Sequence, residues 1–503
     1  MTANAPGVIL AIDQGTTGTT VLLLDAERRV VGRAYREIPQ HYPSPGWVEH
    51  DPEDLFQSVI AAFTEAWESA GRPQVRAVGI TNQRETTILW DRATGRAIGR
   101  AIVWQDRRTQ DVCAALKQAG HEDRVRAVTG LVIDPYFSGT KIAWMLDRDP
   151  ALRSRAERGE LAFSTVDSYL VARLSGGRSH VIDVTNASRT LLLDLHSRRW
   201  SDEMCALFRV PRAVLPEVVA SSGRLASVHG VAGIADGTPI AGIAGDQQAA
   251  LYGQDCRAPG EAKCTYGTGA FLLMNVGATP VLSRNRLLTS VAWTLDAAGP
   301  TASTKPATTD YALEGSAFIA GALVQWLRDG LGIIGKASEI EALAASVPDS
   351  GGVTIIPALA GLGAPHWRPE ARGLIAGITR GTTKAHLARA ALEAIAFQIA
   401  ELVSAMEADA GRPLTRLRVD GGAAANDLLM QLQADLLGVE VVRPAFLEST
   451  ALGAGRLAGD AIGFWQTGTS DDARTGDRRF VPALPEPERA ARRAVWQAVV
   501  AKA

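Results

Sequence analysis

The sequence predicts an α/β fold of two large domains around a cleft. Three observations predict it. The chain has 503 residues, 46% of them hydrophobic, which is too much for one core and enough for two. Apolar runs of strand type alternate with helical patterns through the first half, as a layered α/β architecture requires. The unit strand, Gly-Thr turn, strand occurs once in each half, around Gly15-Thr16 and around Gly267-Thr268. Two such hairpins facing each other would hold a polyphosphate from both sides.

The elements follow in order. Residues 8–12 read as a strand, Asp13-Gln14-Gly15-Thr16-Thr17-Gly18 as a polar turn, and residues 21–24 and 30–37 as two further strands, a β-meander. A helix should start at Asp51, with Pro52 in its first position and Glu53 and Asp54 in its first turn. Residues 75–80 form a short strand that runs into Asn82-Gln83-Arg84-Glu85-Thr86-Thr87. Residues 239–244 read as a buried strand, with Asp246 where the next helix begins. The break at Asp255, Pro259 and Gly260 divides the chain into domains 1–256 and 257–503. Residues 261–266 and 271–276 repeat the hairpin, and residues 417–419 run into Asp420-Gly421-Gly422 before a helix from about Asn426 to Leu437. Apart from the termini and residues 467–478, no segment reads as disordered.

Composition excludes several classes. A net charge of −2, a pI near 6.5 and the lack of a polybasic run argue against nucleic acid or an anionic membrane as partner. No apolar stretch reaches the roughly 18 residues that span a bilayer, and residues 1–7 lack the pattern of a secretory signal. Cys113, Cys205, Cys256 and Cys264 form no CxxC pair, so they read as buried thiols of a cytoplasmic protein.

Five constellations carry chemistry. In Asp13-Gln14-Gly15-Thr16-Thr17 the glycine lets backbone N–H groups point at phosphate, the threonines add donors, and Asp13 can hold Mg²⁺. The bland alternative is a polar hairpin. Tyr266-Gly267-Thr268-Gly269 repeats the device. Asp420-Gly421-Gly422-Ala423-Ala424-Ala425-Asn426 would let a flat ligand lie against backbone at a helix start, with Asn426 either a nucleobase or ribose partner or a plain helix cap. Asp246 in Gly245-Asp246-Gln247-Gln248 is either a helix cap or a carboxylate that takes the proton of an attacking hydroxyl. Arg84 beside Glu85 can bind two ends of a small polyol, although such neighbours are most often a solvated surface pair.

Longer patterns match a family. Tyr136-Phe137-Ser138-Gly139-Thr140-Lys141-Ile142-Ala143-Trp144 resembles one signature of the FGGY carbohydrate kinases, ending imperfectly at Arg148. Gly373-Leu374-Ile375-Ala376-Gly377-Ile378, followed by His386-Leu387 and Ala390-Ala391-Leu392-Glu393, matches the other in full. The likeness runs from about Val8 to Trp465, and Asn82-Gln83-Arg84-Glu85-Thr86 is the string that glycerol-specific members carry. The resemblance implies two actin-like (ribonuclease-H-like) α/β domains around a central cleft, and transfer of phosphate from ATP to glycerol with Mg²⁺. It implies Arg84, Glu85, Tyr136, Asp246 and Gln247 on the glycerol hydroxyls, and Trp104 and Phe271 over the carbon backbone. It further implies Asp246 as catalytic base, Asp13 at the metal, and Thr16, Thr17, Thr268, Gly321, Gln325, Gly422 and Asn426 at the nucleotide. Glu314 is a second acid, with a helix cap or a structural pair as the plain readings. A homodimer or homotetramer is expected.

Two departures stand out. Thr20 occupies a position where many bacterial members carry a phosphate-reaching Arg. Ala235-Asp236-Gly237-Thr238-Pro239 lacks the Arg with which some members bind a sugar bisphosphate, so feedback by fructose 1,6-bisphosphate is expected to be weak or absent. Two alternatives stay open: a kinase for another polyol or short sugar, such as erythritol or dihydroxyacetone, and an actin-like ATP-driven switch.

Overall fold

The computed structural model describes residues 7–296, 307–366, 368, 370–446, 448–465 and 476–503. Residues 1–6 and most of the 467–478 segment lie outside the described residues. Among the described residues, thirteen strands join in one sheet. In chain order they are β1 (Val8–Gln14), β2 (Gly18–Leu24), β3 (Val30–Glu37), β4 (Val75–Asn82), β5 (Ser222–Ser227), β6 (Pro239–Gly245) and β7 (Glu261–Tyr266). Then come β8 (Ala270–Gly277), β9 (Leu288–Leu295), β10 (Thr308–Ala317), β11 (Arg416–Asp420), β12 (Val441–Arg443) and β13 (Arg478–Phe480). The sheet order is β13-β12-β11-β7-β8-β10-β9-β5-β6-β4-β1-β2-β3.

This order contains one topology twice. In the first half, β3-β2-β1-β4-β6 has β2 antiparallel to its neighbours and β1, β4 and β6 parallel. In the second, β10-β8-β7-β11-β12 does the same with β8 as the antiparallel strand. The repeated Gly-Thr hairpin of the sequence is the first turn of each copy. Between the copies lie β5 and β9, joined by one residue pair, Ser222 with Leu295.

The meander is found as predicted, with longer strands: β2 starts at Gly18 and not at residue 21. β1 continues through Gln14, because the turn closes later, with the Gly15 N–H donating to Gly18 O at 2.9 Å. Asp13 therefore stands inside the strand, opposite Thr20. β4 likewise continues through Asn82. Helix α1 (Pro52–Ser69) starts where expected: Asp51 accepts from the Glu53 N–H, and Leu55, Val59, Ala62, Phe63 and Ala66 form its buried stripe. Further helices place the site: α2 (Ser138–Asp147), the single turn α3 (Val184–Ala187), α4 (Asp246–Gly253), α5 (Gly321–Asp329), the long α6 (Lys384–Ala410), α7 (Asp427–Leu437) and α8 (Ser449–Ile462).

The position of α8 is not evident from chain order. It comes from the second half but lies on β1, β4 and β6 of the first. There Ala451, Leu452, Ala458 and Ala461 cover Ile9, Ala11, Leu22, Leu24, Ala77 and Ala241. The approach to α4 is closest at Gly453, where any Cβ would overlap the Ala249 carbonyl. Glycine there is a packing requirement. No helix among the described residues is long and apolar enough to cross a membrane.

Candidate active site

The string Asn82 to Thr87 is buried throughout, with Arg84 3% and Glu85 1% exposed, so the surface-pair reading does not hold. Its backbone is fixed from behind. Asn82 and Asn186 exchange amide hydrogen bonds at 3.1 and 3.0 Å, and the Gln83 N–H donates to Gln14 O at 2.8 Å. Glu85 takes a left-handed backbone, φ +62, and its carbonyl accepts from Ser138 Oγ at 3.0 Å.

Arg84 is engaged on every side. Its fork grips Glu314 at 2.7 and 3.0 Å, and its remaining terminal donors reach Gln248 Oε1 at 3.2 Å and Tyr136 Oη at 3.3 Å. Of its five N–H donors, Nε is the one left for the cleft, and it stands 3.2 Å from Asp246 Oδ1. Glu314 lies on β10, a strand, which removes the helix-cap reading and leaves the structural pair. Burial alone would raise its pKa, but Arg189 and Arg84 overcome that and hold it at about 2.

Asp246 is the first residue of α4, and the capping position belongs to Gly245, which has no side chain to cap with. The Gly245 N–H donates to Thr185 Oγ1 at 2.9 Å, tying this turn to α3. The Asp246 side chain keeps 32% of its surface, unlike the carboxylates beside it. Oδ1 accepts from the Gln247 N–H at 2.7 Å. Gln247 Oε1 accepts from Lys263 Nζ, and since an ammonium only donates, the Gln247 amide NH₂ is the group left to face a ligand. Trp104 packs edge-on against Tyr136, ring centroids 5.6 Å apart, and its Nε1 donates to Thr16 Oγ1 at 2.9 Å. The predicted aromatic wall and the first phosphate loop are thus one hydrogen-bonded unit. Phe271 is half-buried on β8.

The nucleotide-side residues are arranged differently. Thr17, Thr268, Gln325 and Gly422 are exposed. The second hairpin closes through the Gly267 N–H to Gly269 O at 2.8 Å, and the start of α5 docks onto it. Ala320 and Ala322 N–H donate to Thr268 O at 2.8 and 3.0 Å, and Gly321 N–H to Gly267 O at 2.9 Å. A Cβ on Gly321 would stand 2.6 Å from Gly267 O. Past β11 a 3₁₀ turn, Gly422–Ala425, comes before α7. The Asn426 oxygen caps α7, accepting from the Leu429 N–H at 2.8 Å, so only its NH₂ remains for a ligand. At Gly422 there is open space on the side where a Cβ would project.

Asp13 faces a different environment. Burial, with the nearby charges of Asp246 and Glu448, pushes its carboxyl up to about 7. Thr20, its cross-strand partner, brings no cation.

Comparison with known proteins agrees with this arrangement. The FGGY family of carbohydrate kinases matches with its N-terminal domain over residues 8–253 and its C-terminal domain over residues 262–462. The chain belongs to the FGGY family of carbohydrate kinases. It is 56% identical to the glycerol kinase of Alkalilimnicola ehrlichii over 98% of both chains, and 55% identical to that of Myxococcus xanthus over 98% of this chain and 99% of the other. Among solved structures, Plasmodium falciparum glycerol kinase with ADP superposes with a TM-score of 0.92 at 34% identity, covering 99% of this chain and 98% of that one. The FGGY assignment makes the chain an ATP-dependent phosphotransferase with an alcohol acceptor, on the two-domain actin-like fold.

Of the predicted polyol residues in this FGGY kinase, the structure joins Arg84, Glu85, Tyr136 and Asp246 directly, and Gln247 through its neighbour. Sequence reasoning missed Arg189, Gln248 and Lys263. Arg189 sits at the end of Thr185-Asn186-Ala187-Ser188-Arg189, a polar run that folds as a wholly buried segment. A polar run of that length between apolar strands was the available signal. For Lys263 it was the alternation of its strand, which sets Glu261, Lys263 and Thr265 on one face and Ala262, Cys264 and Tyr266 on the other.

Proposed function

We propose that this kinase transfers the γ-phosphoryl group of ATP to a terminal hydroxyl of glycerol, giving ADP and sn-glycerol 3-phosphate. The observation that carries the reading is the placement of Asp246. It is a half-open carboxylate beside Arg84 Nε, at the edge of a closed set of charges that a small polyol would complete. The glycerol kinases to which the chain is 54–56% identical over nearly its whole length support the same acceptor.

The side chains divide the work. Arg84 Nε and the Gln247 NH₂ donate to hydroxyl oxygens, while Glu85 and Asp246 accept from hydroxyl hydrogens. Trp104 and Phe271 cover the C–H face. Asp246 takes the proton as the hydroxyl oxygen bonds to phosphorus and the bond to ADP breaks, a step that asks mainly for positioning. Asp13 fits a divalent cation, since it is an under-compensated carboxylate and Mg²⁺ is commonly held by one or two carboxylates plus substrate phosphates. Bound Mg²⁺ would offset charge on the β- and γ-phosphates. Thr16, Thr17 and Thr268 would donate to phosphate oxygens, with Gly321, Gln325, Gly422 and Asn426 around the nucleotide. The functional unit divides into domains 1–256 and 257–503, works in the cytoplasm in glycerol uptake and catabolism, and forms a homodimer or homotetramer.

The test is ADP release from Mg-ATP with glycerol, dihydroxyacetone, erythritol, xylulose or no acceptor. Turnover confined largely to glycerol is expected. Equal release in every tube would instead mean an ATP-driven switch.

A further inference from the structure

We propose that Arg189 is a positioning residue for polyol recognition: it turns the Glu85 carboxylate so that one oxygen is reserved for a substrate hydroxyl. The inference rests on the glycerol-kinase reading above. Arg189 is wholly buried. Its Nε donates to Glu85 Oε1 at 2.6 Å and its Nη2 to Glu314 Oε1 at 3.2 Å. The guanidinium lies 5.4 and 5.1 Å from the ring centroids of Tyr136 and Phe137, against their faces.

Arg84, the neighbour in sequence, does not do this job. Its fork is spent on Glu314, and its nearest approach to Glu85 is 3.8 Å, from the Nε that also faces Asp246. Glu85 Oε2 takes no hydrogen bond among the described residues. The Glu85 backbone is fixed by Ser138 and Thr87 at its carbonyl, so the side-chain rotation rests on Arg189. Arg189 keeps this place although its Nη1 is buried without a hydrogen-bond partner among the described residues. Its position between two carboxylates outweighs that loss.

The charges around Glu85 give the role a signature. Burial raises its pKa, and Arg189 and then Arg84 pull it back, against the negative charge of Glu314. Lys141 and Tyr136 also face it, and burial pushes the Tyr136 hydroxyl up, which keeps that group neutral. Removing Arg189 takes away the stronger counter-charge and leaves Glu314 in place. Glu85 then holds its proton closer to neutral pH, and a protonated carboxyl donates where it had accepted. Its ionised fraction grows as pH rises, so the defect should shrink toward alkaline pH.

The experiment measures glycerol and ATP KM from pH 6 to 9 for the full chain and for Arg189→Met and Arg189→Lys. For Arg189→Met we expect the glycerol KM to rise about 10- to 100-fold at pH 7, to fall again toward pH 9, and the ATP KM to stay within about twofold. Arg189→Lys keeps the charge but not the planar fork, so its glycerol KM should rise several-fold with a flat pH profile. An unchanged glycerol KM in Arg189→Met, or glycerol and ATP KM rising together at all pH values, overturns the proposal. If Arg189→Met does not fold, Arg189→Lys decides, and a parental glycerol KM there overturns it. A parent enzyme that ignores glycerol would instead defeat the functional reading, before any variant is compared.

Discussion

On the proposed polyol side of the cleft, Arg84, Glu85, Arg189 and Glu314 are all at most 3% exposed and pair with one another across both halves of the chain. On the proposed nucleotide side, Thr17, Thr268, Gln325 and Gly422 stand exposed on turns and a helix, beside the tight backbone turns at Gly267–Gly269 and Gly422–Ala425. The two ligands differ in the same way. ATP brings its own charge, so tight turns with hydroxyl and amide donors would suffice. Glycerol is neutral and small, so recognition has to come from charges already desolvated and aimed. A buried set of this kind is costly to disturb, whereas a backbone surface is sensitive to volume.

That contrast can be broken in four places. The largest effect is expected from Asp246→Asn, which removes the proton acceptor. Turnover should drop about 10²- to 10⁴-fold, while ADP affinity, read by calorimetry, stays near the parent value. Near-normal turnover would remove Asp246 from its role. Next is Glu314→Gln, which leaves Arg84 and Arg189 short of a counter-charge and should lower unfolding free energy in denaturant by about 3–5 kcal/mol. An unchanged midpoint would mean that the network is not what holds the two halves of the site together. Gly321→Ala should act on volume alone, because its new methyl group meets the Gly267 carbonyl. Steady-state kinetics should show an ATP KM about tenfold higher, about 1.4 kcal/mol, at constant glycerol KM; a shift in glycerol KM would blur the division drawn above. The smallest effect is expected from fructose 1,6-bisphosphate. Asp236 in the 235–239 loop accepts from the Gly230 N–H and offers an anion no cation, so low-millimolar bisphosphate should leave the rate unchanged. Clear inhibition would point to a bisphosphate site elsewhere.

The same contrast explains what the sequence made legible. The nucleotide loops are local: Gly15-Thr16 and Gly267-Thr268 each close within four residues, and their glycines mark the turns. The meander, α1 with its Asp51 cap, and the strand before Asp246 were readable for the same reason, since periodicity and capping act over short distances. The polyol network is not local. Arg84 is 105 positions from Arg189 and 230 from Glu314, and nothing near Arg189 marks it as the partner of Glu85. The cap role of Asn426 was open for a related reason. Its residue type suits both a cap and a ligand contact, and the 3₁₀ turn that sets Asn426 at the helix start is not visible in Gly422-Ala423-Ala424-Ala425.

The placement of α8 has a consequence for how the chain is made. The sheet face formed by Ile9, Ala11, Leu22, Leu24, Ala77 and Ala241 leaves the ribosome well before its cover, residues 449–462. At about 5–20 residues per second, nearly two hundred residues separate the end of the first half from that helix, a wait of roughly 10–40 s. Throughout that interval the nascent first half lacks the helix that covers this apolar face in the folded chain. The sheet of the first half is therefore finished only by a helix made about two hundred residues later, and the face stays open until that helix arrives.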